Sequence, residues 1–256
     1  MPEYKLSAHA MVMISGSSRG TQPKYYDQGW WYKADRKGYE GRAEYLVSLL
    51  ESYSSISEYV PYETCMINGR RGCRSHSFLT GTETFLSFMR AHTMAYDRSL
   101  EDAIRGYEDI GDRIAYVMDF MMSYFGLDCS RYLSDILTLD MLTLNCDRHF
   151  NNLGFIYDTA TGQCKNAPIF DNGDCLLSDL GIFYPGDDLE TNIEKAIARP
   201  FSVNHYAQAK AAGISLSLDY EGLYAALEKE PEDRAREVLL YQLQRYRSVI
   251  PDMKAR

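Results

Sequence analysis

Asp147 and Asn152 stand in the stretch LNCDRHFNNLGF (144–155), where the six positions 147–152 hold an acid, an arginine, a histidine and two asparagines between an apolar run and a strand-like one. Such a cluster is either a surface turn or a working site. Phosphoryl transfer uses these residue types. An aspartate orients the attacking hydroxyl, an asparagine and a second aspartate hold Mg²⁺, a lysine neutralises the phosphates, and an acid holds that lysine. The second aspartate is available as Asp171 in NAPIFDNG, followed by a permissive glycine at 173. The lysine is available as Lys33 in WWYKAD, and Glu44 lies in the helical segment that follows.

Spacing alone does not single out Asp147. The pattern D-x-x-x-x-N also occurs at Asp140/Asn145 and Asp187/Asn192. Asp140 lies inside an apolar helical run, and Asp187 follows Pro185-Gly186 with no matching aspartate beyond it. Asp147 alone is launched from a helix end, followed by a hairpin and completed by FDNG. Lys24 competes with Lys33 for the phosphates, and Glu40 and Glu51 flank Glu44 on the same helix. The loop from Ser15 to Pro23 carries Gly16 and Gly20, which free the backbone to turn N–H groups toward anionic oxygens.

These residues need positioning elements. HAMVMISG (9–16) reads as a strand and KYYDQGWWYKAD (24–35) as a hairpin turning at Asp27-Gln28-Gly29. GRAEYLVSLLESY (41–53) has helical apolar spacing, and residues 57–79 read as two strands around Asn68-Gly69. From about residue 82 the pattern turns helical, with long buried segments over 112–127 and 131–145. LGFIYD (153–158) and NAPIFD (166–171) read as a strand pair around TATGQC. Residues 190–256 return to helix, broken at Pro200, Gly213 and Pro231. The expected fold class is α+β, a two-lobed protein-kinase-like fold. A small β-rich N-lobe over residues 1–80 and a larger, mostly helical C-lobe over 81–256 meet at a hinge around 76–84.

The 256 residues carry 36 acidic against 27 basic side chains, a net charge of -9. That disfavours direct nucleic-acid binding and docking on an anionic membrane. Six cysteines without a C-x-x-C pair fit reduced thiols rather than a disulfide framework or zinc site. With no membrane-spanning run or signal peptide, a cytoplasmic location is expected.

Taken in order, SSRGTQPK, WWYKAD, GRAEYLVSLLE, DRHFNN and PIFDNG resemble the HipA family of bacterial serine/threonine protein kinases, known from toxin–antitoxin modules. The resemblance spans residues 15–174. It implies Asp147 as catalytic base, Asn152 and Asp171 as Mg²⁺ ligands, and Lys33, supported by Glu44, on the ATP phosphates. Gly16, Ser17, Ser18, Gly20 and Lys24 then belong to the nucleotide-binding set, and His149 braces the catalytic loop. Autophosphorylation would fall on Ser17, with Ser15 and Ser18 as alternatives. About a dozen residues precede the phosphate loop, as in compact family forms where a separate small protein supplies the missing N-terminal piece. An antitoxin-like partner is therefore expected beside a protein substrate. D-R-H-x-x-N recurs in phosphatidylinositol kinases, which keeps a small-molecule or lipid kinase open. A nucleotide-binding pseudokinase is a third reading, opposed by the occupied lysine and metal positions.

Overall fold

The computed structural model describes residues 1–11 and 22–254. Five strands form the first sheet: β1 (Glu3–Tyr4), β2 (Lys24–Asp27), β3 (Trp30–Ala34), β4 (Glu63–Ile67) and β5 (Arg70–His76), in the order β1-β4-β5-β3-β2. Two hairpin turns set its register. Gln28 and Gly29 have φ of 47° and 84°, and Asn68 and Gly69 have 49° and 80°. Paired positive φ values make the tight turns that match strand twist, which is why Gly follows in both. Residues 9–16 were expected as a strand. Instead Ala8–Ala10 form a 3-10 turn and Met11 makes only an isolated bridge to Tyr25. The remainder of that segment lies outside the described residues.

Helix α1 (Glu40–Ser52) packs on this sheet, burying Leu46, Val47 and Leu50 completely. Each such side chain contributes roughly 1.5–3 kcal/mol of transfer free energy. Two glycines allow the close approach. A Cβ on Gly41 would sit 2.4 Å from the Gly72 carbonyl carbon, and one on Gly72 would sit 2.1 Å from the Lys33 oxygen. The period of two along β3 sends Tyr32 and Ala34 into a small outer cluster with Cys65 and Ile67. Lys33 is left facing α1.

The second sheet has the order β6-β7-β8, from β6 (Glu83–Ser87), β7 (Gly154–Asp158) and β8 (Cys164–Asn166). Strand β6 falls where helix was expected; its five residues pair along the whole of β7 before Ser87 caps the next helix. Strand β8 ends earlier than expected, because Pro168 has no N–H to continue a ladder. Residues beyond it run along the segment that precedes β4, where Ile169 bridges Tyr59 in parallel.

Helices α2 (Phe88–Tyr96), α3 (Leu100–Ile104), α4 (Ile110–Phe125), α5 (Ser130–Thr143), α6 (Leu189–Lys195), α7 (His205–Ala212), α8 (Tyr220–Leu227) and α9 (Arg234–Arg245) complete the chain. From Tyr132 to Thr143 every residue of α5 is buried, so this helix is the axis of the larger core. Among the described residues no helix is long and apolar enough to cross a membrane.

Candidate active site

Lys33 leaves β3 toward α1, and its Nζ lies 2.5 Å from Glu44 Oε1 and 2.7 Å from Asp171 Oδ1. Burial alone would lower the Lys33 pKa, but Asp171 and Glu44 outweigh it and hold the ammonium well above its ordinary value. Burial would likewise raise Asp171, yet Lys24 and Lys33 hold its carboxyl well below the usual carboxylate range. Glu44 is raised by burial, opposed by Lys33 and by the Asn172 N–H that donates to Oε2 at 2.8 Å. The Tyr62 hydroxyl stands 3.3 Å from Lys33 Nζ and accepts from the Asp171 N–H at 3.4 Å.

The alternatives left by the sequence now separate. Lys24 pairs with Lys33 across β2 and β3 and reaches Asp171 Oδ2 at 3.7 Å, so it is a second cation rather than a substitute. Glu40 accepts the backbone N–H groups of Arg36, Lys37 and Gly38, shaping the turn before α1. Glu51 is fully buried, with both carboxyl oxygens unpartnered among the described residues. Glu44 alone meets Lys33.

Helix α5 ends at Leu144, a non-glycine residue at φ 55°, and the turn sends the chain into the loop 145–152. There the His149 N–H donates to Asp147 O, the Asn152 N–H to His149 O, and Asn152 Nδ2 to Asp147 O at 3.2 Å. Asn145 Oδ1 accepts from the Asp147 N–H. These bonds close the loop on itself. Asp147 is part-exposed, with His149 Nε2 at 3.9 Å and Arg199 Nη1 at 3.7 Å. Asp171, too, is held at positive φ, 61°. Strained backbone of this kind concentrates at working sites.

A cavity of about 220 Å³ runs along Lys24, Lys33, Asn152 and Asp171 to an apolar end at Phe78, Phe85 and Phe170. The three rings lie 5.3–6.1 Å apart. The rings pack on one another as an apolar wall against which a flat aromatic group can lie, while the lysines at the other end suit anionic oxygens. Asp171 carboxylate and Asn152 carboxamide oxygens are hard donors of the kind Mg²⁺ takes, and Asn152 spends its amide nitrogen on Asp147 O, which leaves its oxygen for a ligand. Asp147 is not part of the cavity lining; it stands on the loop beside it. Gly16, Ser17, Ser18, Gly20 and Ser15 lie outside the described residues.

Sequence reasoning missed Arg148. Its side chain is fully buried, donating to both Asp140 oxygens at 2.9–3.2 Å, to Phe170 O at 2.8 Å and to Asn172 Oδ1 at 2.6 Å. One guanidinium thus ties the 145–152 loop to the residues on both sides of Asp171. The signal was present: an aspartate inside an apolar helix needs a buried cation.

The architecture is a kinase fold, a small curled sheet with one packed helix joined to a mostly helical body. It is similar to the crystal structure of the Helicobacter pylori proinflammatory kinase CtkA, at TM-score 0.59 and 15% sequence identity over 90% of each chain. At that identity the likeness shows the fold alone. HipA of Shewanella oneidensis, solved with HipB and operator DNA, is matched over 95% of this chain and 67% of that one, at 12% identity and TM-score 0.49, too low to carry an argument. No protein-family model and no curated protein matches the chain.

Proposed function

We propose that this chain is an ATP- and Mg²⁺-dependent serine/threonine protein kinase of the HipA-like type. The carrying observation is Lys33 held between Glu44 and Asp171 at one end of a cavity whose other end is walled by aromatic rings. In this reading residues 1–80 form the N-lobe and 81–256 the C-lobe. The adenine ring lies among Phe78, Phe85 and Phe170, and the phosphates lie against Lys33 and Lys24. Asn152 and Asp171 hold Mg²⁺, which when bound neutralises phosphate charge and orients the phosphates.

Asp147 accepts a hydrogen bond from the substrate's Ser or Thr hydroxyl and takes its proton as that oxygen bonds to the γ-phosphorus. The bond from the γ-phosphorus to the bridging oxygen of ADP breaks in the same displacement. Catalysis is positioning and charge neutralisation, so the loop bonds from Asn145, His149 and Asn152 matter as much as the base. The motifs of residues 15–174 support autophosphorylation at Ser17, Ser15 or Ser18 and an antitoxin-like partner. Incubation with γ-labelled ATP and Mg²⁺, in parallel with cell-extract protein, lipid vesicles and amino sugars, tests the substrate class. Label in protein is expected; label confined to lipid or sugar would overturn the protein-kinase reading.

A further inference from the structure

In the helical body, the outward face of α4 forms the floor of an open groove of about 480 Å³. Asp112, Tyr116 and Asp119 recur there at helical spacing, and Tyr96, Tyr107 and Tyr124 supply the walls. Ala115 and Ser123 keep parts of the floor low. The rings form a connected surface: Tyr96 to Tyr124 is 5.3 Å between centroids, and Tyr107 to Tyr116 is 5.8 Å. Tyr96, Tyr107 and Tyr124 are 48%, 39% and 51% exposed, more than aromatic residues serving only as core would be. No residue of this groove lines the cavity at Lys33.

The residues that line the groove include two aspartates and no arginine or lysine. Among the described residues, neither Asp112 nor Asp119 belongs to an ion pair, although arginines are close in sequence. Arg113 turns its guanidinium to Tyr107 O at 2.9 Å and Phe201 O at 2.7 Å, Arg98 donates to Asp102 O, and Arg105 pairs with Asp102 at 2.7 Å. These arginines border the groove, hydrogen-bonded to backbone oxygens or to Asp102, and its lining keeps two unpaired carboxylates beside exposed aromatic faces. Tyrosine faces attract cations, and a planar guanidinium can stack on a ring while its N–H groups reach a carboxylate. Asp112 and Asp119 are two helical turns apart, about 10.5 Å along the axis. A peptide in the polyproline II conformation rises about 9 Å in three residues and brings positions i and i+3 to the same face.

We propose that this groove is a docking site for an arginine-bearing segment of a partner protein in the polyproline II conformation, with two arginines three positions apart. One guanidinium meets Asp112 beside Tyr107 and Tyr116, and the other meets Asp119 beside Tyr96 and Tyr124. The site stands independently of the phosphotransferase reading, since it shares no residue with the cavity.

Fluorescence anisotropy of the full chain with a fluorescein-labelled peptide GSRSGRSG tests this. Binding is expected to weaken as salt is raised and to fall at least tenfold in the Asp112→Asn/Asp119→Asn double variant and in Tyr124→Ala. Both variants alter exposed positions, and an unchanged thermal unfolding midpoint verifies their fold. The GSESGESG peptide should not bind, and GSKSGKSG should bind more weakly because an ammonium cannot stack. Equal binding of the arginine and glutamate peptides, or equal binding of the arginine peptide by wild type and double variant, would overturn the site. Equal binding of the lysine peptide would overturn the stacking assignment. Self-association of the wild type, lost in the double variant on sedimentation, would replace the peptide with a second copy.

Discussion

Arg148 and Asp140 form a fully buried ion pair in which the guanidinium reaches both carboxylate oxygens, Nη2 to Oδ1 at 2.9 Å and Nε to Oδ2 at 3.0 Å. Burial pushes the Asp140 carboxyl up and Arg148 opposes it. The rest of the Arg148 donor fork faces Phe170 O and Asn172 Oδ1, so the pair anchors Asp171 from beneath. Arg148 is a positioning residue in this arrangement; Lys33 and Lys24 are the cations that face the cavity.

Removing one partner of this pair leaves the other charged and buried. Arg148→Ala and Asp140→Asn are each expected to cost about 3–5 kcal/mol of stability, read from urea unfolding midpoints. The double variant Arg148→Met/Asp140→Leu should cost less than the sum of the two single changes, because no buried charge is left alone. Losses below about 1 kcal/mol in the single variants would mean that the pair is not buried as described.

Lys33 and Lys24 should separate by measurement. Lys33 is bound to two carboxylates, whereas Lys24 reaches Asp171 at 3.7 Å only. Lys33→Met is expected to reduce phosphoryl transfer by at least a hundredfold and also to destabilise the chain, since Glu44 loses its cation. Lys24→Ala should weaken nucleotide affinity roughly tenfold, seen by calorimetry, with little change in unfolding midpoint. The reverse ranking would exchange their roles.

Glu51 supplies a pH signature. Burial raises its pKa well above the ordinary glutamate value, against the opposing pull of Arg148 and with Glu44 and Asp140 adding to the rise. The folded chain therefore keeps a proton that the unfolded chain releases above about pH 4.3. This contribution to stability is full below that pH and is lost as pH rises toward the folded-state pKa, at up to about 1.4 kcal/mol per pH unit. Glu51→Gln should gain on the wild type between pH 5 and pH 8 in urea midpoints. Parallel curves for the two proteins would refute the buried, unpartnered carboxyl.

Much of this arrangement is legible in the residues themselves. Both hairpins announce themselves by Gln28-Gly29 and Asn68-Gly69, and α1, α4 and α5 by apolar spacing, because local backbone preference and packing agree there. Strand β6 does not, since its five residues hold their shape through pairing with β7, a partner some seventy positions away. Lys33, Glu44 and Asp171 could be named from order and neighbours, yet only the fold separates Glu44 from Glu40 and Glu51. Arg148 was hidden because an arginine beside an aspartate reads as a surface pair, and nothing local tells that its charge turns inward to Asp140.

In the proposed reaction Asp147 receives the hydroxyl proton beside a nucleotide held by Lys33 and Asp171. The most direct measurement compares wild type and Asp147→Asn for transfer of label from γ-labelled ATP to protein in the presence of Mg²⁺, with nucleotide affinity measured on the same samples. Transfer is expected to fall at least a hundredfold in the variant with ATP affinity within about threefold of wild type, because Asp147 stands outside the cavity lining. Undiminished labelling by Asp147→Asn would contradict that role.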